Sequence, residues 1–381
     1  MLPTLIGTTD PSRYLQYLEE KITAAKEVLQ AAGLNCPAPT VIPSPPEHYR
    51  MRCEFALYKT ANHDFKYAMF IPNTRPKQRV LLDTFSGAHP TINQGMVALH
   101  GALKNDVYLL GGLFEADFLC AQDGQLIIAL NYHRKFDDEF SRRLKDLRLR
   151  LQSSGLHVDL VARARKQKIV CEREEVCEHY QLDGHSVKLY QVEGTFSQPN
   201  ATACTAMINF ARSCVPATNP RDLLELYCGS GTFTVALADL FAKVLATEVA
   251  RVPTQTALRN IELNHLTNVK LCRLSAHEAA SAIARERPFH RLLERNIAIE
   301  DYDFSTLLVD PPRAGIQDEA ALRFAAQFER IIYISCNPQT LALDLQILSR
   351  THTIEKLSFF DQFPYTAHLE SGVLLIKRPN A

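Results

Sequence analysis

The chain has 381 residues, 46% of them apolar and 22% charged, which is the composition of an ordinary globular protein and a length that predicts two or three domains. No apolar run approaches the roughly 20 residues of a membrane span, and MLPTLIGTTDPSRYLQYLEEK lacks the charged and apolar regions of a signal peptide, so a cytoplasmic location without membrane contact is expected. Basic and acidic residues number 42 each, which excludes a globally charged polyelectrolyte and leaves electrostatic recognition to local clusters.

Leu15, Leu18, Ile22, Ala25 and Leu29 recur at three- and four-residue spacings and predict an amphipathic helix over residues 11–32. CPAPTVIPSPPEHY then breaks regular structure and reads as a connector. From 49 to 190, short alternating runs (RCEFALYK, VYLLGG, QLIIALNYH, HVDLVARA, IVCERE, VKLYQVEG) surround helical patterns at 91–104 and 137–153. That pattern predicts an α+β domain with an antiparallel sheet. Within it, Arg50, Arg52, Lys59, Lys66, Arg75, Lys77 and Arg79 outnumber Glu54 and Asp64, and VARARKQK adds Arg163, Arg165, Lys166 and Lys168. Both clusters alternate with apolar or aromatic residues, as strands do when one face meets a polyanion. A solvated sheet face explains them equally well.

After Phe196 the texture changes. NATACTAMINFARSCV reads as a helix, and then DLLELY, KVLATEV, NVKLCRL, STLLVD, RIIYISC, TIEKLSFF and GVLLIK alternate with helical patterns. Runs buried on both faces and followed by helices predict an open α/β domain with a mostly parallel sheet. The boundary is placed near residue 190, dividing 1–190 from 191–381. The ten cysteines are expected as reduced thiols; the closest pair, Cys171 and Cys177, has no third or fourth partner nearby, so neither zinc nor an iron-sulfur cluster is expected.

DLLELYCGSGTFTVAL is a strand, a glycine turn and a helix. Gly229 and Gly231 allow close backbone approach to a ligand at a helix N-terminus. Glu248 ends the next strand, at the position of a carboxylate that grips ribose hydroxyls. A dinucleotide fingerprint needs a third glycine where Thr234 stands, so the motif favours an adenosine without pyrophosphate, as in S-adenosylmethionine. STLLVDPPRAG sets Asp310 at a strand's carboxyl end, facing the same crevice, with Arg313 close behind.

YISCNPQTL ends a strand at Cys336, where Asn337-Pro338 starts a helix. A helix N-terminus favours negative charge, so this thiol is expected to ionise more readily than a free one and to act as a nucleophile. Cys53, Cys120, Cys204, Cys214, Cys272 and Cys228 are expected as packing residues. A thiolate beside a methyl donor suits carbon-5 of uracil, which becomes nucleophilic once a thiolate has added at carbon-6. A base must then remove the carbon-5 proton. FFDQFPYTAHLESGVLLIK offers Glu370, with His368 and Asp361 as rivals.

HYRMRCEF, YHRKFDDE, YQVEGTFSQPN, DLLELYCGSGTFTVAL, VLATEVA, VDPPRAG, YISCNPQTL and SFFDQFPYTAHLESGVLL follow one another along nearly the whole chain. In that order they resemble the S-adenosylmethionine-dependent RNA uracil-C5 methyltransferases, in their bacterial tRNA (uracil-5-)-methyltransferase branch. The resemblance implies a Rossmann-like methyltransferase domain preceded by an α+β RNA-binding domain, with Cys336 as nucleophile and Glu370 as proton acceptor. It implies that Gln198, Tyr227, Thr232, Glu248 and Asp310 hold the cofactor, with Thr232 standing where relatives often carry asparagine. The implied substrate is the uridine at position 54 of the tRNA T-loop, bound through the T-arm by the basic clusters and by an aromatic such as Phe114 or Phe118, and flipped toward Cys336. The absence of a four-cysteine motif and of room for an N-terminal barrel favours tRNA over ribosomal RNA, and a monomer is expected. Competing readings are the same chemistry on ribosomal or transfer-messenger RNA, methylation of an exocyclic nitrogen, and a tRNA-folding chaperone.

Overall fold

The computed structural model describes residues 2–60, 64–72, 74–218, 221–316 and 318–379. Seventeen strands form two large sheets and one hairpin among the described residues. β1 (Thr40–Ile42) precedes β2 (Arg52–Lys59), β3 (Phe65–Phe70), β4 (Arg79–Leu82), β5 (Leu113–Cys120), β6 (Gln125–Tyr132), β7 (His157–Ala164) and β8 (Gln167–Val170). The hairpin is β9 (Glu175–Leu182) with β10 (His185–Val192). The C-terminal half supplies β11 (Asp222–Leu226), β12 (Val244–Thr247), β13 (Val269–Cys272), β14 (Phe304–Val309), β15 (Arg330–Ser335), β16 (His352–Phe360) and β17 (Glu370–Lys377).

The C-terminal sheet has the order β1-β16-β17-β15-β14-β11-β12-β13. β11 and β12 are buried at every residue, as strands covered by helices on both faces must be. The pairings from β13 through β15 are parallel, and β17 runs antiparallel to both β15 and β16. The chain steps outward from β11 to β12 and β13, then returns to β14 on the other side of β11. That reversal opens a crevice at the carboxyl ends of β11 and β14, where open α/β sheets bind their ligands.

The N-terminal sheet has the order β4-β3-β2-β5-β6-β7-β8. It is not wholly antiparallel as expected: β6 and β7 pair in parallel, Gln125 opposite His157. The helix Asp138–Ser153 lies between them in sequence, and a helical crossover returns a strand in the same direction. This helix and Pro90–Leu103 contribute Leu144, Leu147, Ile92 and Met96 to one buried core with Phe55, Tyr67 and Phe118. Phe118 is fully buried, its ring centroid 6.0 Å from those of both Phe55 and Tyr67, so it cannot stack on a base. Phe114 differs. A register shift between Leu113 and Glu115 turns it outward, where its ring lies parallel to that of His133 at 3.9 Å.

The basic clusters are also partly spent inside the protein. Arg163 donates to Glu193 Oε1 at 2.7 Å and to its carbonyl at 3.1 Å, and Arg52 donates to the Thr195 carbonyl. Lys66 pairs with Asp83, and Lys168 with Glu174. Arg52 and Arg163 therefore clasp the segment leading into the C-terminal half. Arg79 over Tyr58 and Lys77 over Phe70 remain on the surface as cation–π pairs.

Residue 190 lies within β10, so the two halves are continuous in space there. Asn260 and Asn264, on and just beyond the helix Arg251–Leu263, exchange hydrogen bonds with the backbone of Tyr190 and Lys188. The N-terminal helix Tyr14–Ala31 and β1 lie with the C-terminal sheet, β1 pairing with β16. The helix's buried stripe is Tyr14, Tyr17, Leu18, Lys21, Ala25 and Leu29, whereas Leu15 is 72% exposed. No helix among the described residues is long and apolar enough to cross a membrane.

Phe118→Ala removes a fully buried ring and is expected to lower unfolding stability by about 3–5 kcal/mol. Phe114→Ala, on the surface, is expected to cost less than about 0.5 kcal/mol. Denaturant titration of both variants checks the assignment.

Candidate active site

The crevice begins at the end of β11. Tyr227 takes a left-handed backbone conformation, φ 60°, and Gly229 and Gly231 follow at φ 55° and 82°. A β-carbon on Gly231 would stand 3.3 Å from that of Ala257, so glycine lets the turn close on the next helix. Thr232 is the first residue of the helix Thr232–Leu237. Thr234 donates from its hydroxyl to the buried Glu225 carboxylate at 2.6 Å, a packing role that accounts for the missing third glycine. Burial is the main cause that pushes Glu225 up to about 8.

Glu248 follows β12 and accepts hydrogen bonds from the Gly229 amide at 3.1 Å and the Ala250 amide at 2.7 Å. Its carboxylate is thereby fixed against the glycine turn. A cleft of about 220 Å³ opens beside it, lined by Tyr227, Glu248, Leu274, Ser275, His277 and Asp318. A half-buried ring, a fixed carboxylate and this mixed polar lining fit a nucleoside. Ser275, His277 and Asp318 escaped the sequence reading; the signal for the first two is that NVKLCRL ends a third parallel strand at the same edge, whereas Asp318 caps the helix Glu319–Ala325 after β14.

On the far side of β11, three acids converge. Asp310 follows β14, Cys336 follows β15 and Glu370 opens β17. Ser335 pairs with Ser371 across β15 and β17, which makes Cys336 and Glu370 the next neighbours along that ladder. The loop after Asp310 is tied to the helix after Cys336: Asn337 Nδ2 and Thr340 Oγ1 donate to the Arg313 carbonyl at 3.0 and 3.1 Å. Below them the buried Asp344 accepts from the Ile316 amide at 2.8 Å and the Tyr333 hydroxyl at 2.5 Å. Asn337 caps the helix Pro338–Leu348, accepting from the Gln339 amide, with proline at its start as expected.

The electrostatics differ from expectation. Cys336 is half-buried, and its thiol is pushed up to about 11 by burial first, then by the Glu370 and Asp310 carboxyl groups, with Arg313 acting in the opposite direction. The thiol is therefore harder to ionise than a free one, the opposite of what its helix N-terminus predicts. Burial likewise raises Glu370 to about 8, helped by Asp310, and Asp310 to about 7. Perturbed acids clustered in a cleft mark a site where charge is handled.

The rivals of Glu370 are engaged elsewhere. Asp361, 1% exposed, forms an ion pair with Lys21 of the N-terminal helix. His368 Nε2 lies 3.3 Å from an Arg313 nitrogen, and burial and the Arg313 charge lower its pKa. Gln198 sits on the clasped segment and accepts from Gln362 Nε2, beside Asp361. The structure thus arranges Tyr227, Thr232 and Glu248 about the glycine turn, Asp310, Cys336 and Glu370 along the neighbouring strand ends, and Gln198 on a third element. All ten cysteines are free thiols.

Two measurements follow from these pKa values. Alkylation of Cys336, followed by peptide mapping, is expected to be slow at neutral pH and to rise about tenfold per pH unit through pH 9; a plateau below that contradicts the raised thiol. For Glu370, the folded state keeps a proton that the unfolded chain loses from the ordinary carboxylate value of 4.5 upward. Stability therefore falls as pH rises from there to about 8. Glu370→Gln, neutral throughout, is expected to melt above the wild type at about pH 8.5 and level with it at about pH 4.5.

The model of the tRNA (Uracil-5-)-methyltransferase family matches residues 13–378. A tRNA/tmRNA (uracil-C(5))-methyltransferase of Vibrio parahaemolyticus is 41% identical over 369 residues, covering 97% of this chain and 98% of that protein. The Acinetobacter baylyi protein of the same description is 44% identical over 364 residues, covering 95% and 98%. Pyrococcus abyssi tRNA (uracil-54, C5)-methyltransferase in complex with S-adenosyl-L-homocysteine superimposes with a TM-score of 0.67 at 19% identity, covering 95% of this chain and 83% of that one. That likeness establishes the methyltransferase fold, a large mostly parallel sheet within an α/β chain. By a family model and relatives that both span nearly its whole length, the chain belongs to the tRNA (uracil-5-)-methyltransferase family.

Proposed function

We propose that this chain methylates carbon-5 of a tRNA uridine in the T-loop, at position 54, the position named for the Pyrococcus abyssi protein, through a covalent adduct on Cys336. The observation that carries the reading is the ladder position of Cys336 beside Glu370, next to Asp310. Tyr227, Glu248, Gln198, Asp310 and the Thr232 backbone are the residues proposed to hold S-adenosylmethionine, the nucleoside against the cleft at Glu248. When bound, that cofactor supplies an electrophilic methyl group and a positive charge, which favours the ionised forms of nearby acids.

Cys336 first releases its proton to solvent, which positive charge in the crevice favours; Sγ then forms a bond to uracil carbon-6, and the carbon-5–carbon-6 π pair moves onto carbon-5 and the carbonyl oxygen. Carbon-5 is then nucleophilic enough to accept a methyl group. Glu370 takes the carbon-5 proton, the double bond re-forms, and the carbon–sulfur bond breaks to return the thiolate. Glu370 accepts that proton in its ionised form, which positive charge in the crevice favours, and it is held within reach of the adduct by the same ladder that positions Cys336.

The uridine must leave its stack to reach Cys336. The exposed face of the N-terminal sheet suits that task. Phe114, stacked on His133, offers a ring for displaced bases, and Arg79 over Tyr58 and Lys77 over Phe70 offer charge for phosphates. The relatives are named for tmRNA as well as tRNA, so a T-arm in another RNA is a second candidate substrate.

Incubation with 5-fluorouracil-substituted tRNA and S-adenosylmethionine is expected to yield a denaturation-stable complex that Cys336→Ala abolishes. Fluorine cannot depart as a proton, so the adduct cannot resolve. Methylation of normal tRNA by Cys336→Ala points instead to an exocyclic nitrogen, and tRNA binding without methylation by the unaltered chain points to a folding chaperone. Glu370→Gln is expected to bind tRNA and accumulate adduct, whereas full turnover moves the base elsewhere.

A further inference from the structure

We propose that Lys21, on the N-terminal helix, is a positioning residue that holds the loop over residues 361–369, and with it Gln362 and Glu370, in register with Cys336. The proposal rests on the reading of Glu370 as the proton acceptor. Lys21 is 3% exposed and lies in an otherwise apolar helix face. Its ammonium group reaches three acceptors: the Asp361 carboxylate, the Phe363 carbonyl at 2.9 Å and the His368 carbonyl at 3.2 Å. An ammonium has three protons, and here each has a partner. Two of those partners stand where the loop leaves β16, and the third stands where it enters β17.

The placement relative to the ladder gives this contact its consequence. Phe360 pairs with Glu370 at the end of the β16–β17 ladder, so Asp361 is the first residue beyond it. Closing the loop at Asp361 and His368 fixes that last pair, and Glu370 faces Cys336 from it. Gln362, 1% exposed, donates to Gln198 from the same turn. One ammonium group therefore sets two elements of the site from the N-terminal helix. The rest of the loop is anchored to N-terminal residues too: Tyr365 donates to the Pro46 carbonyl at 2.8 Å and accepts from the Leu5 amide at 3.1 Å.

Stability does not require the pair. An ion pair removed from water recovers little more than its desolvation cost, and apolar residues of similar volume often stabilise as well. The distinctive property of the lysine is geometric, since no apolar side chain converges on three acceptors. Breaking only one partner leaves a buried unpaired charge, so stability and positioning have to be separated experimentally.

The test uses the full chain with tRNA and S-adenosylmethionine, comparing wild type, Glu370→Gln, Lys21→Met, and Lys21→Met combined with Asp361→Asn. Melting temperature, S-adenosylmethionine affinity, formation of the Cys336 adduct and the rate of its resolution are measured for each. Lys21→Met is expected to melt lower, and the double variant to recover most of the loss because no unpaired charge remains. Both are expected to form adduct, to bind S-adenosylmethionine more weakly because Gln362 no longer steadies Gln198, and to resolve the adduct about tenfold more slowly, as a misplaced proton acceptor would. A double variant that resolves adduct at the wild-type rate, while Glu370→Gln accumulates it, overturns the proposal and leaves Lys21 a structural staple. Free turnover by Glu370→Gln overturns the reading of the base, and the proposal falls with it.

Discussion

The candidate site depends on one reversed strand. β17 runs antiparallel between β15 and β16 in an otherwise parallel run, so its amino end lies at the same edge as the carboxyl ends of its neighbours. A parallel strand would bring its last residue to that edge; an antiparallel one brings its first, Glu370. Strands distant in sequence thereby set a carboxyl group and a thiol side by side through backbone hydrogen bonds, which hold geometry more firmly than a loop does. The cost is electrostatic. Asp310, Cys336 and Glu370 are all raised well above their ordinary values, which means the fold keeps three acids where ionisation is penalised.

Magnitudes explain why the helix N-terminus does not make Cys336 a resting thiolate. A helix terminus favours a nearby anion by roughly 0.3–1 kcal/mol at an exposed site. Burial and the Glu370 and Asp310 carboxyl groups act in the opposite direction and push the thiol from 9.0 up to about 11. Burial and two carboxyl neighbours outweigh the dipole. Positive charge entering the crevice favours the ionised thiol, which suits an enzyme proposed to attack an unreactive pyrimidine.

Much of this was legible in sequence for a definite reason. Ligand sites in open α/β sheets lie at the strand carboxyl ends, so Glu248, Asp310 and Cys336 could be read from where apolar runs stop. Side-chain partners could not. Arg52 and Arg163 counted toward a basic surface, yet both hold the segment at 193–195, because charge counting is blind to tertiary contacts. Phe114 and Phe118 share a strand, and only the register shift near Leu113 sends one outward while the other packs inward. The parallel pairing of β6 and β7 had a visible signal in the helix between them, overridden by the alternating pattern of the flanking runs. Lys21 also left a trace, a charged residue at a position where the spacing of Tyr14, Leu18, Ala25 and Leu29 calls for an apolar one.

The N-terminal segment shows why division of the chain at one residue describes the molecule poorly. Its helix packs on the C-terminal half and its strand extends the C-terminal sheet, whereas the sheet that follows it in sequence returns to clasp the segment carrying Gln198. The chain passes from the catalytic sheet to the N-terminal sheet and back, so the surface proposed to receive RNA is anchored at both ends to the elements proposed to do chemistry. A flexible tether between two independent bodies would leave a flipped uridine to find the thiol by diffusion. The returning passage is instead held by the arginine clasps at 193–195 and by the hairpin packed on the helix Arg251–Leu263, so the N-terminal sheet is fixed against the strand ends within the folded chain itself.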